Sequence, residues 1–174
     1  MPQQIIAVTV LGDDRPGIVA DVTTALADLH CNLEDYTMTL LRGHFAMVVL
    51  VRTVADAASV EAALKPLTVG GSLVINARVL AESTTTTVLG PAYSLRVHGA
   101  DRPGIVATVT RIVAQHGANI VDLGTRLGGN LYVMTAELQV PDAHAAVALE
   151  RDLTGAAAEL GVEVHLSPVD DDVW

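Results

Sequence analysis

Two short polar turns of almost identical sequence carry the residues that could bind a ligand. The first reads DDRPGIVADV from Asp13 to Val22, and the second reads ADRPGIVATV from Ala100 to Val109. Aspartate is a favoured cap before a helix and proline is favoured in its first turn, so each turn predicts the start of a helix. The free backbone N–H groups of a helix start, together with the positive end of the helix dipole, can bind a carboxylate.

A small amino acid, which carries both a carboxylate and an ammonium group, fits this setting. The glycine of each turn has no Cβ and allows close approach, while the isoleucine and valine after it could form an apolar wall. An asparagine at the start of the next strand could offer a donor and an acceptor. The candidate ligand-binding residues are Asp14, Arg15, Pro16, Gly17, Ile18, Val19 and Asn32 in the first copy and Asp101, Arg102, Pro103, Gly104, Ile105, Val106 and Asn119 in the second.

An architectural explanation of the turns stays open. The pattern D-x-P-G favours a helix start whether or not a ligand binds there, and each asparagine could cap the end of the preceding helix. The two arginines could simply be solvated. Both copies nevertheless keep the whole polar turn while the helices behind it diverge, and stability alone does not require identical side chains in two places. This identity favours ligand binding.

The elements that must position these turns also occur twice. At a constant offset of 87 residues, set by Asp14 and Asp101, the matches continue without a gap. The matched pairs beyond the turn include Asn32 with Asn119, Asp35 with Asp122, Phe45 with Tyr132, and Met47 with Met134. A chance match of two turns would lose register at once, so the sequence predicts an internal duplication.

Each copy predicts the element order βαββαβ. Alternating strands precede the turns, and apolar residues at helical spacing follow them, as at Ile18, Val22 and Leu26. The inward faces of the second helices are predicted to hold Val60, Leu64 and Leu67 in the first copy and Val147, Leu153 and Leu160 in the second. With right-handed crossovers, this order predicts an α+β fold of two ferredoxin-like units. Each unit would be a four-stranded antiparallel sheet with two helices on one face.

The predicted domain boundaries follow from this division. The first unit covers residues 1–81, a polar linker covers 82–91, the second unit covers 92–169, and a flexible acidic tail covers 170–174. A unit of this size buries little core on its own, so packing of the units on each other or on a second chain is expected. A homodimer and an internally paired monomer are both compatible with the sequence.

The charge and the reactive residues limit the possible functions. Ten basic residues stand against 20 acidic ones, a formal net charge of −10, and the basic residues are scattered. This argues against direct nucleic-acid binding. The chain shows no apolar run long enough for a membrane span, no secretory signal and only one cysteine, Cys31, which suggests a cytoplasmic protein. Its six histidines lack metal-ligand spacing and no phosphate loop is present, so we expect no catalysis, metal or cofactor.

The two DRPGIV turns, followed after the helix by CNLED and ANIVD, resemble ACT domains. The most family-specific stretch is CNLEDYTMTLLRGHFAMVVL, and the resemblance covers residues 4–168. It implies regulatory modules that bind amino acids where two ACT domains meet, at the loop after the first strand. The resemblance to two-ACT regulatory proteins also implies action through a partner transcription factor, without a DNA-binding domain of its own.

Three hypotheses for function therefore remain. The leading one is a ligand-sensing regulatory protein without catalysis, with glycine or serine as the most plausible ligand and a transcription factor of amino-acid or one-carbon metabolism as its partner. The second is a regulatory subunit that docks onto a separate enzyme. The third is a pairing module without a ligand, in which the turns only start helices.

Overall fold

Each half of the chain folds in the order that the sequence predicts. The computed structural model describes residues 3–81 and 90–169, which form two compact units, here called the first unit and the second unit. Residues 82–89 of the predicted linker and the whole predicted tail lie outside the described residues.

The first unit contains β1 (Gln4–Asp13), α1 (Ile18–Asp28), β2 (Asn32–Leu41), β3 (His44–Thr53), α2 (Ala57–Leu64), a 3₁₀ helix (Lys65–Thr68) and β4 (Leu73–Leu80). The second unit contains β5 (Ala92–Ala100), α3 (Ile105–Gln115), β6 (Asn119–Gly128), β7 (Leu131–Gln139), α4 (Ala143–Leu160) and β8 (Val162–Pro168). No helix in the described part of the chain is both long and apolar enough to cross a bilayer.

Both sheets have the same topology. The strand order is β2-β3-β1-β4 in the first unit and β6-β7-β5-β8 in the second, with every neighbouring pair antiparallel. Because β1 and β2 are each antiparallel to β3, they run in the same direction, and α1 makes the crossover between them. The prediction of two ferredoxin-like α+β units is confirmed.

Each unit buries one face of its sheet under its helices. Alternate residues Ile6, Val8 and Val10 of β1 are fully or almost fully buried, and α1 contributes Ile18 and Leu26 to the same core. A period of two along the strand and of about 3.6 along the helix puts these side chains between the layers. The second unit has its own core, so each turn is supported by the unit to which it belongs.

The second helices differ from the prediction in their inward faces. Val60 and Leu64 are buried as predicted, but α2 ends at Leu64 and Leu67 belongs to the 3₁₀ helix. The prediction for Val147 is wrong, because that side chain is 69% exposed. The buried face of α4 consists of Ala146, Leu149, Leu153 and Ala157. Small alanines let this helix lie close to its neighbours, and Val147 is turned about 100° away from that face.

Candidate ligand-binding turns

The two repeated turns have the same backbone conformation. The residue before α1 is Gly17, with φ 90° and ψ −3°, and the residue before α3 is Gly104, with φ 94° and ψ −7°. The first helical hydrogen bonds run from the Asp21 N–H to the Gly17 carbonyl and from the Thr108 N–H to the Gly104 carbonyl, both at 2.9 Å. The first three N–H groups of each helix therefore have no acceptor within their helix.

The aspartates of the turns are not helix caps, contrary to the prediction for Asp14. Neither α1 nor α3 has a side-chain cap hydrogen bond. Pro16 and Gly17 form a turn between Asp14 and the helix, so the helix starts only at Ile18 and the aspartate lies outside it. The Asp14 backbone N–H instead donates to the Gly43 carbonyl at 3.1 Å, in the β2–β3 hairpin. The helix start is thus left open to a ligand.

The backbone conformation at Gly17 and Gly104 is one that favours glycine over other residues. Residues with side chains rarely adopt a φ near +90°. A Cβ atom at either position would lie more than 4 Å from any neighbouring group, so steric crowding does not explain the glycine. The space in front of both turns is open, which allows a ligand to approach the backbone.

The apolar residues after each glycine have separate roles. Ile18 and Ile105 are 2% and 1% exposed and belong to the cores. Val19 is half-buried and Val106 is exposed. Of the four residues predicted to form apolar walls, only the two valines are thus accessible to a ligand.

The asparagines lie at the opposite end of each sheet from the turns. Asn32 pairs with Arg52, which pairs with Ile5 near the start of β1. The turn follows Asp13 at the other end of β1, eight residues away, a separation of about 27 Å along the strand. Because β5 and β6 repeat this arrangement, Asn119 is equally far from its own turn. Neither unit brings its asparagine and its turn together.

The arginines of the two turns have different neighbours. Arg15 forms an ion pair of 2.7 Å with Asp21, in the first turn of α1. The position equivalent to Asp21 is Thr108 in the second unit, and Arg102 lies instead against the backbone at Gly161. A Cβ atom built on Gly161 would be 3.3 Å from Nη1 of Arg102. The sequence repeats the arginine but not its partner.

A second pair of glycines, which the repeated turns do not include, lies just before each turn. A Cβ atom on Gly12 would lie 1.9 Å from the Ser72 carbonyl oxygen, and one on Gly99 would lie 2.9 Å from Cα of Val162. These glycines allow the last bridges of β1 with β4 and of β5 with β8 to form at close range. Gly12 and Gly99 are 87 residues apart, so extending the repeat backwards would have found them.

Tyr132 is a further polar residue near the second turn. It follows the β6–β7 hairpin, pairs with Gly99, and is only 9% exposed. Its hydroxyl is buried and has no hydrogen-bond partner among the described residues. Burial raises the pKa of the Tyr132 phenol, and the negative charge of Asp101 raises this pKa further. The first unit has Phe45 at the equivalent position.

Three further features of the described residues concern metal ligation, the cysteine and an apolar groove. Residues 3–81 and 90–169 contain no group of three or more side chains that could hold a metal ion. Cys31 is buried. An apolar groove of about 240 Å³ crosses strands β1, β2 and β3, lined by residues 9–11, 37–39 and 46–48, and no residue of the turn lines it.

Comparison with known proteins assigns the family. A family model described as ACT domain matches residues 4–75 and 95–167. The glycine cleavage system transcriptional repressor of Escherichia coli K12 is 28% identical over 127 residues, 71% of this chain and 65% of the repressor. A UPF0237 protein of Methanopyrus kandleri is 57% identical over 44 residues, 25% of this chain and 49% of that protein. The chain thus spans less than two thirds of either curated relative.

A solved structure of similar sequence supports the same assignment. The crystal structure of an unknown protein from Galdieria sulphuraria has a TM-score of 0.80 and 33% identity, covering 97% of this chain and all of that one. The family model covers most of both units and matches each of them once. This protein therefore belongs to the ACT domain family and is related to the glycine cleavage system transcriptional repressor.

Proposed function

We propose that this protein is a regulatory protein without catalytic activity that binds a small amino acid at its repeated turns and thereby modulates a protein partner. The observation that carries the proposal is the open helix start in each unit. Three N–H groups without an intrahelical acceptor follow a glycine in front of which the space is free. Such a helix start favours a carboxylate.

The aspartates of the turns supply the complementary charge for an ammonium group. Asp14 and Asp101 lie outside their helices and are exposed, so each carboxylate is free to meet a ligand bound at the turn. The name of the Escherichia coli relative refers to the glycine cleavage system. We therefore take glycine and serine as the first ligands to test, and a transcription factor of amino-acid or one-carbon metabolism as the partner.

The asparagines would complete such a site from another ACT unit. Within one unit, the strand length separates Asn32 from Asp14, so a ligand at a turn cannot meet both residues of the same unit. A ligand that contacts an asparagine as well would join two units and favour one arrangement of them. Its effect on partner binding can be no larger than its difference in affinity for the two arrangements.

The test is the thermal stability of the purified protein in the presence of each of the twenty amino acids. A ligand at about 100 times its dissociation constant stabilises a protein by about 2.7 kcal/mol, which shifts the melting temperature by several degrees. We expect a selective shift, led by glycine or serine. If none of the twenty amino acids produces a shift, amino-acid sensing is wrong, and pull-down of a transcription factor or an enzyme would then test the protein as a docking module.

Paired variants of the turn glycines test whether the ligand binds there. Asparagine and aspartate have similar shapes, and both tolerate a positive φ better than most residues. Gly17→Asn and Gly104→Asn therefore control for backbone strain, while Gly17→Asp and Gly104→Asp add a negative charge beside the open N–H groups. We expect at least one Asp variant to lose the ligand-induced shift that its Asn counterpart retains. Equal shifts in every Asn and Asp pair would place the ligand elsewhere.

A further inference from the structure

The charges around the two helix starts differ although the turns have the same sequence. In the first unit, Asp21 lies in the first turn of α1, and Asp13 precedes the repeated segment. In the second unit, the equivalent positions hold Thr108 and Ala100. A carboxylate in the first turn of a helix already occupies the favourable field that an anionic ligand would use. The start of α3 therefore attracts a carboxylate more strongly than the start of α1.

The arginines add to this difference. Arg15 is paired with the Asp21 carboxylate at 2.7 Å, which neutralises much of its charge. Arg102 forms no salt bridge with any described residue and lies beside the backbone of Gly161, where α4 ends. Its guanidinium group is thus free to contact a ligand carboxylate, and it can do so without losing an acidic partner.

The buried hydroxyl of Tyr132 is a further feature that only the second unit has near its turn. It lies on the buried face of β7, directly opposite Gly99 near the end of β5. Ile105, the first residue of α3, belongs to the same core cluster. The ring therefore lies on the core side of the sheet, opposite the strand end from which the turn leaves, with a buried hydroxyl that has no partner among the described residues. A buried hydroxyl without a partner lowers stability, and Phe45 shows that this fold works without one.

We propose that the two turns are not equivalent and that the turn of the second unit is the selective one, with the Tyr132 hydroxyl as a positioning group for Asp101. This inference rests on the proposed amino-acid binding. The ligand carboxylate lies at the N–H groups of Ile105, Val106 and Ala107 and beside Arg102. The ligand ammonium group binds Asp101, whose carboxylate also accepts a hydrogen bond from Tyr132. The hydroxyl thus gains its partner when the ligand fixes Asp101.

The test is isothermal titration calorimetry of the full chain with glycine and with L-serine. We expect Tyr132→Phe to weaken binding about tenfold, because a hydrogen bond to a charged group is lost. Thr108→Asp, which copies the acidic residue of the first unit, should also weaken binding. The matched control is in the first unit: Asp21→Thr, at the position equivalent to Thr108, should leave the tighter binding event unchanged.

A double-mutant cycle separates positioning from a merely structural role. If Tyr132 acts through Asp101, the variant with both Tyr132→Phe and Asp101→Asn should bind no more weakly than Asp101→Asn alone. Additive losses, or glycine and L-serine affinities unchanged by Tyr132→Phe, would overturn the inference while amino-acid binding stands. A loss from Asp21→Thr equal to that from Thr108→Asp would overturn it too. If the wild-type chain binds neither glycine nor L-serine, the inference fails together with the proposed choice of ligand.

Discussion

At the scale of single residues, glycine serves two different purposes around each turn. Gly104 is needed for its positive φ, whereas Gly99 is needed because Val162 lies too close for a side chain. A Cβ atom at Gly99 would be 2.9 Å from the Val162 Cα atom, in a β-bridge where neither backbone can easily move.

We therefore expect Gly99→Ala to lower the free energy of unfolding by about 1–3 kcal/mol, through overpacking. Gly128→Ala is the matched control in the same sheet, since a Cβ atom there would meet nothing within 4 Å and its φ is not positive. It should change the free energy of unfolding by less than about 0.5 kcal/mol. Urea denaturation measures both, and equal effects of the two substitutions would contradict the close approach at Gly99.

The raised pKa of the Tyr132 phenol predicts that the folded protein loses stability at alkaline pH. Burial and the charge of Asp101 raise its pKa above the ordinary value of 10.0 in the folded protein. The unfolded chain therefore releases this proton at a lower pH than the folded protein does, so stability falls as the pH rises above about 10.

Tyr132→Phe should remove that part of the alkaline loss. The measurement is the urea midpoint of the wild type and of Tyr132→Phe between pH 8 and pH 11. We expect the gap between the two midpoints to change with pH in favour of the variant. Parallel curves would show that the phenol does not titrate differently in the folded and unfolded states.

At the scale of elements, the ends of the first helices show how the two copies diverged. The residue after the cap of α3 is Gly117, with φ 67°, while its equivalent after α1 is His30, with φ 56°. A histidine in the left-handed region costs about 1–2 kcal/mol, whereas a glycine costs about 0.5–1 kcal/mol through the entropy of the unfolded chain.

His30→Gly should therefore raise the free energy of unfolding by about 0.5–1 kcal/mol. Gly117→His, the reciprocal substitution, should lower it by a similar amount. Thermal or urea denaturation of both variants checks the prediction. Destabilisation by His30→Gly would mean that the histidine side chain makes a contact worth more than the backbone strain.

The elements also show where local sequence is sufficient. Strand alternation and the helical spacing from Ile18 to Leu26 were predictable, because they depend on local periodicity. The inward face of α4 was not. Alanines carry little hydrophobic signal, so the pattern favoured Val147, and only packing against the sheet selected Ala146 and Ala157.

At the scale of the whole molecule, the net charge of −10 predicts whether the protein binds DNA directly. We expect no measurable binding to a random-sequence DNA duplex at low salt, because both polymers are negatively charged. Fluorescence anisotropy with a labelled duplex tests this. Binding that weakens steeply with added salt would reveal a basic surface and would argue for direct contact with DNA.

The sequence by itself determined the duplication, the βαββαβ order and the repeated turns, since each is a local or periodic property of the chain. The tertiary structure decided which of these residues can act together. It placed Asn32 at the opposite end of β1 from the turn, because a crossover helix makes β2 run parallel to β1. It also brought Tyr132 opposite Gly99, near the end of β5 from which the second turn leaves, through strand pairing that links residues far apart in the chain.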